Sequence, residues 1–133
     1  MPEQFLVDTA FVLALVNERD QYHERAQELA DLFEGQKLLI TDAVLLEIGN
    51  ALARGFKAQA IEIISYFIES EDVELLHYSS QVFDKAFVMY KKYSDKEWSL
   101  VDCISFVVMR EQGIKQALTF DRHFEQAGFA VIM

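Results

Sequence analysis

Short, uniformly apolar runs alternate with longer stretches in which apolar residues recur at helical spacing. Phe5-Leu6-Val7, Leu38-Leu39-Ile40, Val73 to Leu76, Gln116 to Thr119 and Ala130 to Ile132 read as strands. Between them, helical patterns run from Thr9 to Asn17, Tyr22 to Phe33, Ala43 to Arg54, Phe56 to Ile68, Ser79 to Tyr93, Leu100 to Glu111 and Arg122 to Gln126. Thr41-Asp42 is a helix-start signal, and Gly35 and Gly113 are helix stops. The strands do not alternate apolar with polar, as expected when helices cover both faces of a sheet. No Asn-Gly or Asp-Gly hairpin signal lies between them. The pattern predicts one α/β domain over residues 1–133, three-layered α/β/α with a central, mainly parallel sheet.

Composition supports a packed domain. Of 133 residues, 52% are hydrophobic and 26% charged, with a single Pro, which excludes a disordered or collagen-like chain. The lone cysteine, Cys103, excludes a disulfide framework and a cysteine-based zinc site, and inside its apolar run it is expected to be a small buried hydrophobe. No apolar run reaches the length of a membrane span. Met1-Pro2-Glu3-Gln4 lacks the basic start of a secretion signal, so a cytoplasmic location is expected.

Charge narrows the chemistry. Asp and Glu number 22 against 12 Lys and Arg, a formal net charge of −10. A protein gripping nucleic acid by phosphate neutralisation alone would be basic. Acidity here serves solubility, suits a basic partner, or marks a site where a bound cation reverses the local sign.

Four carboxylates stand where an α/β crevice belongs, beyond the carboxyl ends of strands or on helices facing them. Asp8 directly follows the first strand and Asp121 the fourth; for each, helix capping is the competing role. Glu47 lies in a helical stretch that is apolar nearly all round, sharing its only polar edge with Asn50 and Arg54. That predicts a buried helix whose polar strip faces a cleft, against the alternative of a solvated strip. Asp102 interrupts Leu100 to Met109, and with Ser99 it also fits a capping box. Four carboxylates held together repel unless the site stays wet, takes up protons or binds a cation, and all-oxygen donors favour Mg²⁺ or Mn²⁺ over zinc. Because the four are far apart in the chain, spacing alone leaves their convergence an inference.

Phe5-Leu6-Val7-Asp8-Thr9, Thr41 to Ile48, Trp98 to Phe106 and Leu118 to Phe124 occur in an order that resembles the PIN domain, in the short bacterial form of the VapC toxins of toxin–antitoxin pairs. The resemblance covers essentially the whole chain. It implies a metal-dependent endoribonuclease with Asp8, Glu47, Asp102 and Asp121 as the catalytic and metal-holding acids, and Thr9, Ser99 and Thr119 as polar neighbours. It further implies an RNA substrate, a small antitoxin that reaches the acidic cleft with a basic side chain, and a homodimer. In the scheme that follows, Asp8 and Asp102 hold the principal Mg²⁺ or Mn²⁺ and Glu47 and Asp121 complete the site. A cation-activated water then attacks the RNA phosphorus in line, leaving a 5′-phosphate and a 3′-hydroxyl without a histidine or lysine base.

Other features carry less. His123 is expected at the surface, with a phosphate contact as the alternative. Arg54 is a candidate either for RNA or for pairing with Glu47. Tyr90-Lys91-Lys92-Tyr93 and Lys96-Glu97-Trp98 read as a solvated helix end or as a grip on single-stranded RNA. Ile61, Ile63, Ile64, Phe67 and Ile68 exceed one buried stripe, which leaves core packing and a dimer or antitoxin contact both open. Three rival functions remain: an α/β phosphohydrolase, against which Ala10 stands two residues after Asp8; a receiver-like signalling domain, which lacks its neighbouring acids here; and a PIN-like RNA- or protein-binding module without catalysis.

Overall fold

A computed structural model describes residues 3–133; Met1 and Pro2, which begin the tetrapeptide read for a secretion signal, lie outside it. In chain order the elements are β1 (Gln4–Val7), α1 (Thr9–Val16), α2 (His23–Leu32), β2 (Lys37–Thr41), α3 (Asp42–Ala51), α4 (Lys57–Glu69) and β3 (Val73–Leu76). They continue with α5 (Ser80–Lys92), α6 (Leu100–Gln112), β4 (Gln116–Leu118), α7 (His123–Gln126) and β5 (Ala130–Ile132). The five strands form one sheet in the order β3-β2-β1-β4-β5, and every pairing is parallel.

Helices cover both sides of this sheet, and the strand pleat divides the core in two. Leu6, Leu39 and Ala117 point to one face, against residues of α5, α6 and α7 such as Ala86, Phe106 and Phe124. Their immediate neighbours Val7, Ile40 and Leu118 point to the other, against α1 to α4 through Phe11, Leu29, Ile48 and Phe67. The central strands β1 and β2, buried on both faces at their carboxyl ends, read as apolar runs for that reason, whereas the edge strands β3 and β5 are only partly buried and β3 carries the exposed Glu74.

The strand order reverses at β1. The chain builds β2 and β3 on one side of it and β4 and β5 on the other, so a crevice opens between the carboxyl ends of β1 and β4. The backbone N–H of Asp8 donates to the Leu118 carbonyl at 3.1 Å, tying those two ends together.

Helix α6 carries the deepest part of the α5–α7 side. Ser99 caps it, Gly113 ends it in the left-handed region at φ 71°, and Asp102 to Met109 are all buried. Cys103 is among them, as expected, and burial pushes its thiol up to about 11, which leaves it protonated and unreactive. The Ser105 hydroxyl is buried without a hydrogen-bond partner among the described residues. Removing an unsatisfied buried hydroxyl relieves a desolvation cost, so Ser105→Ala is expected to raise unfolding free energy by about 1 kcal/mol in urea titration. A loss of stability would show that the hydroxyl has a partner.

Three sequence expectations need correction. Helix α3 ends at Ala51, not Arg54, because the chain turns over residues 52–55 into Gly55 at φ 83°. Nor is α3 buried nearly all round: Leu46 is 61% exposed and Asn50 is exposed, while Ala43, Val44 and Ile48 are its buried residues. Trp98 also belongs to the core and not to a solvated helix end. It is 6% exposed and lies edge-on to Phe106 at 5.1 Å, and its indole N–H donates to Gln126 Oε1 at 2.9 Å.

Candidate acidic active site

Each of the four acids is brought to the crevice by a different local device. Asp8 occupies the N-cap position of α1, yet its side chain makes no capping bond. Its Oδ2 accepts instead from Thr119 Oγ1 at 2.7 Å, across the reversal point of the sheet. Capping therefore does not account for this carboxylate. Asp121 does combine the two roles: its Oδ1 accepts from the His123 N–H at 2.9 Å at the start of α7, and its own N–H donates to Thr119 Oγ1 at 2.9 Å. The buried Thr119 hydroxyl thus bridges Asp8 and Asp121.

Asp102 sits at the third position of α6 in a complete capping box. Ser99 Oγ accepts from the Asp102 N–H at 3.0 Å, and Asp102 Oδ2 accepts from the Ser99 N–H at 3.0 Å. One carboxylate oxygen is thereby committed to the backbone, which fixes the side chain as α6 enters the crevice. Thr41 caps α3 through Val44 N and launches that helix from the end of β2. Glu47 is held a turn later, half-buried, with Oε1 accepting from Thr9 Oγ1 at 2.5 Å. Thr9 and Ser99 therefore each fasten one of the expected acids, and Thr119 fastens two. Arg54 behaves differently: it is exposed in the turn after α3 and makes no ion pair with Glu47 among the described residues.

The carboxylates share one electrostatic field. Asp8 is 4% exposed, and burial lifts its pKa from 3.8 to about 7 against the lowering effect of the Thr119 bond; the charges of Asp102 and Asp121 push the same way as burial. Burial likewise raises Glu47, opposed by Thr9 and reinforced by Asp102 and Asp121. Asp102 is raised by burial first, with its Ser99 and His123 hydrogen bonds opposing and Asp121 adding to the rise.

His123 is the residue that sequence reasoning misplaced. Far from standing off at the surface, it is half-buried, with Nδ1 at 3.1 Å from Asp102 Oδ2 and 3.2 Å from Asp121 Oδ1. The turn in which Asp121 binds the His123 backbone folds the ring back over the acids. The Asp-x-His spacing in Asp121-Arg122-His123 was the available signal. One ligand atom from each of Asp102, Asp121 and His123 falls within 4.8 Å of the others. Two carboxylate oxygens and an imidazole nitrogen, with Asp121 and His123 partly open to water, could hold a divalent cation; Asp8 and Glu47 stand outside that group of three. Replacing His123 with Ala should loosen Asp121 and lower divalent-ion affinity about tenfold, measured by calorimetric titration; unchanged affinity would confine the ring to a structural role.

The PIN-domain model matches residues 5–130. This chain belongs to the PIN-domain family. It is 31% identical over 126 residues to the 23S rRNA-specific endonuclease VapC20 of Mycobacterium tuberculosis, covering 95% of each chain. The VapC ribonuclease of Aquifex aeolicus is 25% identical over 132 residues, covering 96% of this chain and 94% of that protein. The crystal structure of VapC20, described as a sarcin–ricin loop cleaving toxin, superposes with a TM-score of 0.86 over 95% of this chain and 96% of its own. The PIN chain is thus of the VapC type, and its all-parallel sheet under two helical layers is the architecture of that family.

Proposed function

We propose that this PIN chain is a divalent-cation-dependent endoribonuclease, the toxin half of a toxin–antitoxin pair, with Asp8, Glu47, Asp102 and Asp121 as its active-site acids. The observation that supports this most is the placement of Asp8. A carboxylate at a helix N-cap that makes no capping bond, lies buried and feels the charge of two other acids supports a site that takes up a proton or a cation. The match over residues 5–130 takes the ground from the phosphohydrolase and receiver-like alternatives.

Asp8, Asp102 and Asp121 would hold the cation, Mg²⁺ or Mn²⁺, with Glu47 completing the site. When bound, the cation would supply Lewis-acid polarisation of the phosphodiester and lower the pKa of a water nearby. The chain's own residues do the rest. Thr119 fixes Asp8 and Asp121 relative to each other, the α6 capping box fixes Asp102, and Thr9 holds Glu47 toward the cleft. Glu47, half-buried and raised in pKa by burial, would complete the site or order its waters.

The 23S rRNA specificity of VapC20 makes structured ribosomal RNA the first substrate class to test. An antitoxin that offers a basic side chain to the cleft and a second copy of the chain are the protein partners this reading carries, in the cytoplasm. Among the described residues no helix is long and apolar enough to cross a membrane. Incubation of purified protein with ribosomal RNA and Mg²⁺ or Mn²⁺ should give discrete fragments, and chelation should stop the reaction. Cleavage that survives chelation would defeat the metal role; intact RNA under all conditions would defeat the nuclease.

A further inference from the structure

The turn between α1 and α2 ends in an aromatic pile that adjoins the acidic site without belonging to it. Phe120 lies between Thr119 and Asp121 in the chain, and its ring stacks on two others. Phe11, buried in the core, stacks with it at 6.3 Å, and Tyr22 lies nearly parallel to it at 4.5 Å, with 4° between the planes. Tyr22 is 41% exposed, so the pile runs from the core to a ring open to water. The backbone beneath that ring is fixed. Asp20 Oδ1 accepts from the Tyr22 N–H at 2.8 Å, and one residue on, His23 Nδ1 lies 2.8 Å from the Ala14 carbonyl oxygen of α1. A cleft of about 520 Å³ opens here, lined by Ala10, Leu13, Asp20, Gln21, Tyr22 and Phe120. Two of its walls continue directly into the acidic site: Ala10 follows Thr9, which holds Glu47, and Phe120 precedes Asp121, which is tied to Thr119.

We propose that this cleft receives one unpaired base of the RNA substrate, stacked on Tyr22, beside the phosphate presented to the acids. This rests on the nuclease reading and adds to it a base-selecting position. A fixed, open ring face suits a flat ligand, and stacking on it does not depend on positive charge, which a chain of net charge −10 lacks. Among the described residues no Lys or Arg lines the cleft, so its grip is on the base and not on the backbone. The polar lining then sets the preference. The Gln21 amide both donates and accepts, whereas the Asp20 carboxylate only accepts, which favours a base bearing an exocyclic amino group. Cytosine should therefore be preferred to uracil, although their rings are equal in size.

The test is fluorescence anisotropy of labelled oligocytidylate and oligouridylate of about ten nucleotides, a typical single-strand site size. Full-length protein carrying Asp8→Asn serves as the parent, so that neither RNA is cut. The parent should bind both and favour oligocytidylate about fivefold, the worth of one hydrogen bond. Tyr22→Leu keeps Phe120 covered but offers no flat face, and it should weaken both about tenfold, while Tyr22→Phe should bind like the parent. Asp20→Asn, whose amide oxygen can still accept from the Tyr22 N–H, should erase the preference for cytidylate. Circular dichroism checks the folding of each variant. Parent-like affinity in Tyr22→Leu overturns the proposal, as does an equal loss in Tyr22→Phe or a parent that binds neither RNA. A mass halved by Tyr22→Leu in light scattering, with RNA affinity intact, overturns it in favour of a contact between copies. Restoring Asp8 separates the two readings. Ribosomal RNA cleavage that Tyr22→Leu leaves untouched would remove the base position alone, whereas Tyr22-dependent binding by a wild-type chain that never cleaves RNA would sink the nuclease reading and leave the base position standing.

Discussion

Asp8→Asn is expected to abolish RNA cleavage while leaving the protein folded and, near pH 8, more stable than wild type. The amide keeps the shape of the side chain and can still accept from Thr119, but it offers no negative charge to a cation. Losing a metal-holding acid removes several kcal/mol of transition-state stabilisation, a fall in rate of about a thousandfold or more. Stability should move the other way, because a buried ionised carboxylate beside Asp102 and Asp121 is replaced by a neutral group. Fragment analysis on gels measures the first effect and urea unfolding the second. A variant that loses activity and stability together would point to a structural Asp8. The opposed signs are what distinguish a group kept for chemistry from one kept for folding.

The second large effect is a pH dependence of stability that a cation reverses. In the native chain the Asp8 carboxyl titrates near 7 instead of 3.8, so between those values the folded state holds a proton that the unfolded state has released. Stability must then fall as pH rises through that interval, with a ceiling of about 4 kcal/mol for Asp8 alone. Glu47 and Asp102 are raised as well and add with the same sign. The metal-free protein should therefore unfold at higher urea concentration at pH 5 than at pH 8, and Asp8→Asn should remove most of the difference. Mg²⁺ or Mn²⁺ at pH 8 should restore stability, by about 2.7 kcal/mol at a hundred times the dissociation constant. A profile that is flat in the absence of metal would mean that the three carboxyls are not held as closely as their environment indicates.

Much of this fold was legible because its strongest signals are local. An unbroken apolar triplet such as Phe5-Leu6-Val7 cannot be half-solvated, so helices on both faces follow from it, and the observed division of Leu6 from Val7 bears that out. Thr41 and Ser99 announced helix starts that the structure keeps. Boundaries without such punctuation slipped: nothing between Ala51 and Gly55 stops a helical pattern, and α3 was read three residues too long. The exposure of Leu46 was hidden for a related reason, since periodicity names the buried stripe of a helix but not how much of its remaining surface is covered. The placement of Asp8 and Asp121 after strands was readable, as was the partial capping box at Asp102. Their meeting was not, because it depends on the reversal of strand order at β1, which is set by packing across the whole chain. His123 was missed because its place depends on a turn two residues long, whose closure by Asp121 becomes evident only once the acids are assembled.

The most direct test is Mn²⁺ titration of the metal-free protein at pH 7, followed by electron paramagnetic resonance in wild type and in Asp102→Asn. A pocket formed by Asp8, Asp102 and Asp121 predicts saturable Mn²⁺ uptake by wild type, release of protons as the raised carboxyls ionise, and loss of most affinity in the variant. Wild type that leaves Mn²⁺ free in solution, or a variant that binds it equally well, would contradict a cation site built from these acids.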